Sequence, residues 1–202
     1  MDMKMKLRSI GKKNMNKNNL DLIRKNILKK SKKYVLRCGW NENLFKTVSN
    51  KNKLKNHEIL ALFPDGYLSL LEFYLKELNT EMTENAKNLD LIRMKINKRI
   101  REIILLRLKT TQHDKALIKK TYFTLLLPQH FKIASKSLYK TVDQIWFIAG
   151  DSSTDFNFYS KRVILSVVYS STVLYWINNK SFEKTSKFLD KQLRNISKIP
   201  QI

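Results

Sequence analysis

The sequence predicts an all-α fold, and three observations carry that expectation. Apolar residues recur at helical spacing through most of the chain, as in Ile92, Ile96, Ile100, Ile103 and Ile104. The 202 residues include only four glycines and three prolines, too few for the turns of a many-stranded sheet. Several of those glycines and prolines sit where an apolar-periodic stretch stops, as Gly39, Pro128 and Gly150 do. An apolar content of 43% suffices for a core in one domain or two small ones.

Taken in order, residues 1–19 are basic, Asn-rich and without periodicity, and read as a disordered tail. From Leu20, Ile23, Ile27, Leu28, Tyr34 and Val35 line one side of a helix whose other side is lysine-rich, ending at Gly39. A short helix with Leu44, Phe45 and Val48 follows Trp40, and another spans about Leu54 to Phe63. Phe63-Pro64-Asp65-Gly66 is a turn by its residue types. Beyond it Leu68, Leu71, Phe73, Tyr74, Leu75 and Leu78 make a helix apolar around much of its girth, hence largely buried. Residues 20–79 thus form a helix-turn-helix-like part: three helices and a longer buried one, the outline of the N-terminal part of TetR-type regulators, whose third helix reads DNA. The stretch SNKNKLKNHEILALF lacks the glycine usual in such a turn, and Ile59, Leu60, Ala61 and Leu62 leave its third helix poorly equipped to read bases.

Residues 80–202 read as a C-terminal helical ligand-binding and dimerisation part. The isoleucine stripe from Ile92 has Arg93, Lys98, Arg101 and Arg107 largely off it. Leu117 to Leu127 ends at Pro128, which cannot continue a helix. Leu138, Val142, Ile145, Trp146 and Ala149 lead to a helix stop at Gly150. Asp151 to Asp155 then offers side-chain acceptors to cap a second helix. That helix carries no charge from Val163 to Asn179, but its apolar part, Val163 to Ile177, falls short of the roughly 20 residues a bilayer needs. A buried helix is expected, a strand being the weaker alternative. Ser166 and Ser170 would admit a close neighbour, from the same core or from a second subunit. The last helix, with Phe182, Phe188, Leu189, Leu193 and Ile196 on one side, caps the core or lies on a membrane surface.

The net charge of +23 normally points to nucleic acid or an anionic membrane. Here 31 of the 40 basic residues are lysine in a chain also rich in Asn and Ile, the residues of AT-rich codons, so compositional drift explains it as well. One cysteine, Cys38, excludes an internal disulfide and reads as a packed thiol in a reducing compartment. No apolar stretch follows the N-terminal lysines, so neither signal peptide nor transmembrane anchor is expected. His57, His113 and His130 are far apart, and no Glu-x-x-His, Gly-rich phosphate loop or G-x-S-x-G occurs. No metal, no cofactor and no catalytic residue is assigned. Asp151 and Asp155, the only pair inviting acid/base chemistry, are accounted for by capping.

The stretch IWFIAGDSSTDFNFYSKRVILSVVYSSTVLYW resembles the signature of the coenzyme Q nine family of ubiquinone-biosynthesis accessory proteins. The resemblance extends through CGWNENLFKTV, ALFPDGYLSLLEFYLKEL and KFLDKQL, covering roughly Leu20 to Ile196. It implies a TetR-like homodimer that is not an enzyme, holds isoprenoid lipid or quinone between its C-terminal helices, and presents it to the di-iron demethoxyubiquinone hydroxylase. The implied setting is cytoplasmic, peripheral at the inner face of the membrane, with nucleic acid not expected as a partner. A DNA-binding regulator with a hydrophobic ligand pocket is the alternative. By resemblance Asp155, Phe158, Tyr159 and Arg162 fall on the family's exposed patch for lipid access and hydroxylase contact. Many members have Trp at the position of Phe158 and Thr at that of Ser160. Eukaryotic members carry a further membrane-binding helix, whereas this chain stops shortly after Ile196, so membrane contact is expected through another surface. An apolar slot for the lipid is expected from Leu126, Trp146, Tyr159, Val163 and Val167, the alternative being that they fill a dry core.

Overall fold

The computed structural model describes residues 17–152 and 156–197, and every regular element among them is helical. The chain runs through α1 (Lys17–Cys38), α2 (Glu42–Lys51), α3 (Asn56–Leu62), α4 (Tyr67–Ala86), α5 (Ile96–Thr110), α6 (Lys115–Leu125), α7 (Phe131–Ala149), α8 (Phe156–Asn178) and α9 (Phe182–Ser197). The all-α expectation holds. It divides into two compact units, one of the described residues through Leu75 with Lys120–Thr124, the other of Lys76–Lys119 and the described residues from Leu125. The expected disordered tail lies mostly outside the described residues; α1 begins at Lys17, three residues before the first apolar position.

In the first unit the expected apolar faces point inward: Ile27, Val35, Leu44, Val48 and Ile59 are completely buried. Asn41 caps α2, its Oδ1 accepting from the Leu44 N–H at 2.9 Å. The Lys55 N–H donates to Glu58 Oε2 at 2.7 Å at the start of α3. Trp40 donates its indole N–H to Thr121 Oγ1 at 2.9 Å and packs on Tyr74, ring centroids 5.6 Å apart. Arg24 Nε ties α1 to the last carbonyl of α3, Leu62 O, at 3.0 Å. Cys38 departs from the packed thiol expected: it is exposed, its Sγ donating to Tyr34 O one turn back. It sits in the last turn of α1, where the helix leaves the core.

In the second unit α5 packs against α7, α8 and α9, and α8 against α7 and α9. Residue Ile92, expected on the α5 stripe, is 88% exposed and precedes the helix. Arg99 is the cause, since its guanidinium donates to Ile92 O, Met94 O and Ala149 O and holds residues 92–95 as a turn. Arg107, expected off the stripe, is buried with 5% exposure. The capping role expected for α9 holds. Arg101 on α5 grips Asp190 on α9 at 2.5 and 3.2 Å, and Phe188 stacks on Tyr175 of α8 at 4.3 Å. Asp190 and Glu102 hold the Arg101 guanidinium more firmly protonated than usual. Ile196 has a backbone in α9, but its side chain lies outside the described residues.

Candidate lipid and partner site

Gly150 makes the corner that positions the site. Its φ of 84° lies in the left-handed region, where a Cβ costs energy, and the Asp151 N–H closes back on Trp146 O at 3.0 Å. The chain therefore leaves α7 sharply and returns as α8 packed against it. Asp151, expected as a cap, does something further: its carboxylate, 4% exposed, accepts from Lys161 Nζ at 2.9 Å and Arg162 Nη1 at 3.4 Å. Arg162 Nε donates to Asp143 on α7 at 2.7 Å, and Nη1 also donates to Phe158 O at 3.0 Å. The guanidinium lies 3.3 Å from the centroid of the Phe158 ring. Trp146 donates to Lys161 O at 3.2 Å, with the Lys161 ammonium over its ring at 5.5 Å. The signature segment is thus a charge clamp that fixes α8 on α7.

This places the expected patch residues unevenly. Tyr159 is 65% exposed and Phe158 half-buried against it, rings edge to face at 5.2 Å. Arg162 is not an exposed patch residue: two carboxylates draw it inside, to 6% side-chain exposure, where it supports the patch from beneath. Asp155, with Ser153 and Thr154, lies outside the described residues.

The five slot residues are not brought together as the lining of an interior slot. Trp146 is buried at 8% exposure, while Leu126, Tyr159, Val163 and Val167 stand at the surface, each more than 60% exposed. The reason is that α8 is two-faced rather than buried all round. Leu165, Val168, Tyr169, Val173 and Trp176 turn inward, whereas Tyr159, Val163, Val167 and Leu174 form an outward row at helical spacing. Ser170 and Ser171 flank that row half-buried. Because α8 is apolar on both faces, its periodicity gave no sign of which would be left out. On α7, Phe147 is 74% exposed as well. A row of large apolar side chains in water is costly and marks a surface that meets lipid or protein.

Sequence reasoning missed Asp143 and Lys161, whose roles depend on the α7–α8 contact. The one available signal was an aspartate eight residues before Asp151, facing an Arg eleven residues after it. Among the described residues no three His, Cys, Asp or Glu side chains are grouped so as to hold a metal ion. No helix among them is long and apolar enough to cross a membrane.

Fold and site together define a TetR-like helical protein. A TetR transcriptional regulator from Nitrosomonas europaea superposes with a TM-score of 0.68 over 87% of this chain and 98% of that one, at 16% identity. At that identity the likeness is one of fold. Sequence narrows it further: the COQ9 family model matches residues 131–200, which hold α7, α8 and α9. The mitochondrial ubiquinone biosynthesis protein COQ9 of Rattus norvegicus is 41% identical over 73 residues, 35% of this chain and 23% of that protein. The corresponding COQ9-A of Xenopus laevis is 26% identical over 180 residues, 85% of this chain and 56% of that protein. The chain therefore spans less than two thirds of the length of such relatives. The resemblance to the coenzyme Q nine family read from the sequence holds, the family model matching the part of the chain that holds α7, α8 and α9.

Proposed function

We propose that this chain is a non-catalytic, lipid-binding accessory protein of ubiquinone biosynthesis. It works as a homodimer, peripheral at a membrane face, and presents isoprenoid quinone intermediates to the di-iron demethoxyubiquinone hydroxylase. The observation that carries this reading is the outward apolar row of α8, Tyr159, Val163, Val167 and Leu174, lying inside the segment that matches COQ9. A polyprenylated quinone needs such a surface. Each CH₂ removed from water is worth about 0.8 kcal/mol, so a tail of several isoprene units leaves a bilayer only onto apolar protein. No cofactor is needed for that task; the lipid is the ligand. Covering the row with a second copy, flanked by the small Ser170 and Ser171, closes an apolar space between two α8 helices. Tyr159 and Phe158 then stand at its edge, on the clamp set by Arg162, as the contact for the hydroxylase.

The fold also suits a DNA-binding regulator, but α3 supports that reading poorly. It has seven residues, places Ile59 and Leu62 in the core, and turns Asn56, His57, Leu60 and Ala61 outward. The deciding experiment is hydroxylase turnover of a long-tailed demethoxyquinone in vesicles, with and without the purified chain. Presentation requires faster turnover when the chain is added and none from the chain alone. Unchanged turnover, together with sequence-preferring DNA affinity at physiological salt, would favour the regulator.

A further inference from the structure

A second exposed apolar cluster lies at the turn between α6 and α7, at the far end of α7 from the Gly150 corner. Leu126, Leu127 and Phe131 are all exposed there, Phe131 at 74%. Their outward setting has a local cause. Pro128–His130 forms a single helical turn closed by the His130 N–H on Leu127 O at 2.9 Å, and the His130 side chain is buried. With His130 pinned inside, Leu127 before the turn and Phe131 after it are carried outward. Pro128 brings no N–H, so the turn has one fewer backbone donor to desolvate on leaving water. Large apolar side chains grouped in water mark a surface that meets something.

The charge beside this cluster has one sign. Residues 115–142 hold six lysines and no Asp or Glu, the longest acid-free run in the chain. Three of those lysines, Lys132, Lys136 and Lys140, are exposed on α7 and recur every fourth residue, so they share the side of the helix that leads on from the turn. Tyr139, exposed among them, adds an apolar ring with a polar tip. The next carboxylate along α7 is Asp143, already held by Arg162 at 2.7 Å. An apolar end with a cationic, acid-free flank fits a bilayer with anionic headgroups. Acyl chains take the leucines and the phenylalanine, and headgroups take the lysines. Nucleic acid would engage the lysines alone and leave the apolar end in water.

We propose that the α6–α7 turn is a membrane-docking surface of the second unit. Leu126, Leu127 and Phe131 insert among the lipids of an anionic leaflet, and Lys132, Lys136 and Lys140 engage its headgroups. The choice of a membrane rests on the peripheral setting proposed above; the exposure and the charge of the turn do not. Because α7 has 19 residues, the turn lies about 28 Å along it from the Gly150 corner, so docking and the contact at Phe158 and Tyr159 use different ends of the helix.

The test is flotation of the full chain with vesicles of phosphatidylcholine alone and of equal parts phosphatidylcholine and phosphatidylserine. Tight binding is expected only to the anionic vesicles, weakening as salt rises. Phe131→Asp is expected to cost about ten-fold or more in vesicle affinity, while an acidic residue at a helix N-terminus suits the fold. Lys132→Gln with Lys136→Gln should cost about 25-fold, about five-fold for each lysine near the headgroups. Lys29→Gln with Lys30→Gln, an equal loss of charge on the exposed side of α1, should change affinity by less than about two-fold. Equal losses from the two lysine pairs, or binding that survives Phe131→Asp, overturn the surface. So does a chain that ignores both kinds of vesicle, and its turn then falls to a protein partner. Should Phe131→Asp fail to fold, Leu126→Asp carries the same comparison. Lipid extraction from the same preparation keeps this surface and the lipid-presenting reading apart. A chain holding an isoprenoid but indifferent to vesicles loses the docking surface alone. One that grips vesicles through Phe131 while holding no lipid keeps the surface and loses presentation.

Discussion

Helix α3 of the first unit and helix α8 of the second spend their apolar residues in opposite ways. In α3, the buried Ile59 and Leu62 serve the core, and the outward side is small and weakly featured. In α8, one apolar face builds the core and a second, Tyr159, Val163, Val167 and Leu174, is left in water. The segment whose likeness to a DNA reader is one of outline has the surface of an ordinary structural helix. The segment with a surplus of exposed hydrophobic surface lies within residues 131–200, which the COQ9 family model matches. Folding alone explains α3. It does not explain the outer face of α8, which the proposed lipid binding would account for.

That contrast is broken most severely at the α7–α8 corner. Arg162→Leu leaves Asp151, 4% exposed, facing Lys161 without its second partner, and frees Asp143. A loss of about 3–5 kcal/mol is expected in denaturant unfolding, as for a buried charge deprived of its partner. Lipid binding should fall with it, because α8 is no longer held in place. Ile59→Ala in α3 is expected to cost about 2–5 kcal/mol through the cavity it leaves, but with lipid binding intact below the melting transition. Loss of lipid from that variant while it stays folded would erase the distinction between the two helices.

Gly150→Ala is the next largest. It forces a side chain onto a φ of 84°, with its Cβ 3.0 Å from Arg99 Nη1, and about 1–3 kcal/mol of stability should be lost. Val163→Asp and Val167→Asp sharpen the contrast from the other side. Both positions are 65% exposed, so unfolding of the monomer should change by no more than about 0.5 kcal/mol. Dimer mass and bound lipid should both disappear. The smallest effect belongs to Asn56→Ala with His57→Ala on the outer side of α3, for which neither stability, lipid content nor hydroxylase turnover is expected to move.

Much of this was legible in the sequence where a backbone rule applied. Gly150 announced the end of α7, and the inward faces of α1 and α2 followed from periodicity. What stayed hidden depended on contacts between distant residues. The isoleucine stripe seemed to begin at Ile92 because nothing local shows that Arg99 takes the carbonyls of the preceding turn. In a chain with 40 basic residues, polarity could not single out Arg107 or Arg162 as the buried ones. The slot residues were chosen as apolar positions near the corner. That criterion picked Trp146 from the inside and Val163 and Val167 from the outside, because a helix apolar on both faces gives no phase. Asp155 lies outside the described residues.

Native mass spectrometry of the purified chain, with organic extraction and identification of whatever accompanies it, tests lipid presentation most directly. A dimer carrying an isoprenoid or quinone, reduced to bare monomer by Val163→Asp, is the expected result. A lipid-free protein indifferent to that substitution, binding a specific DNA fragment at physiological salt, would contradict it.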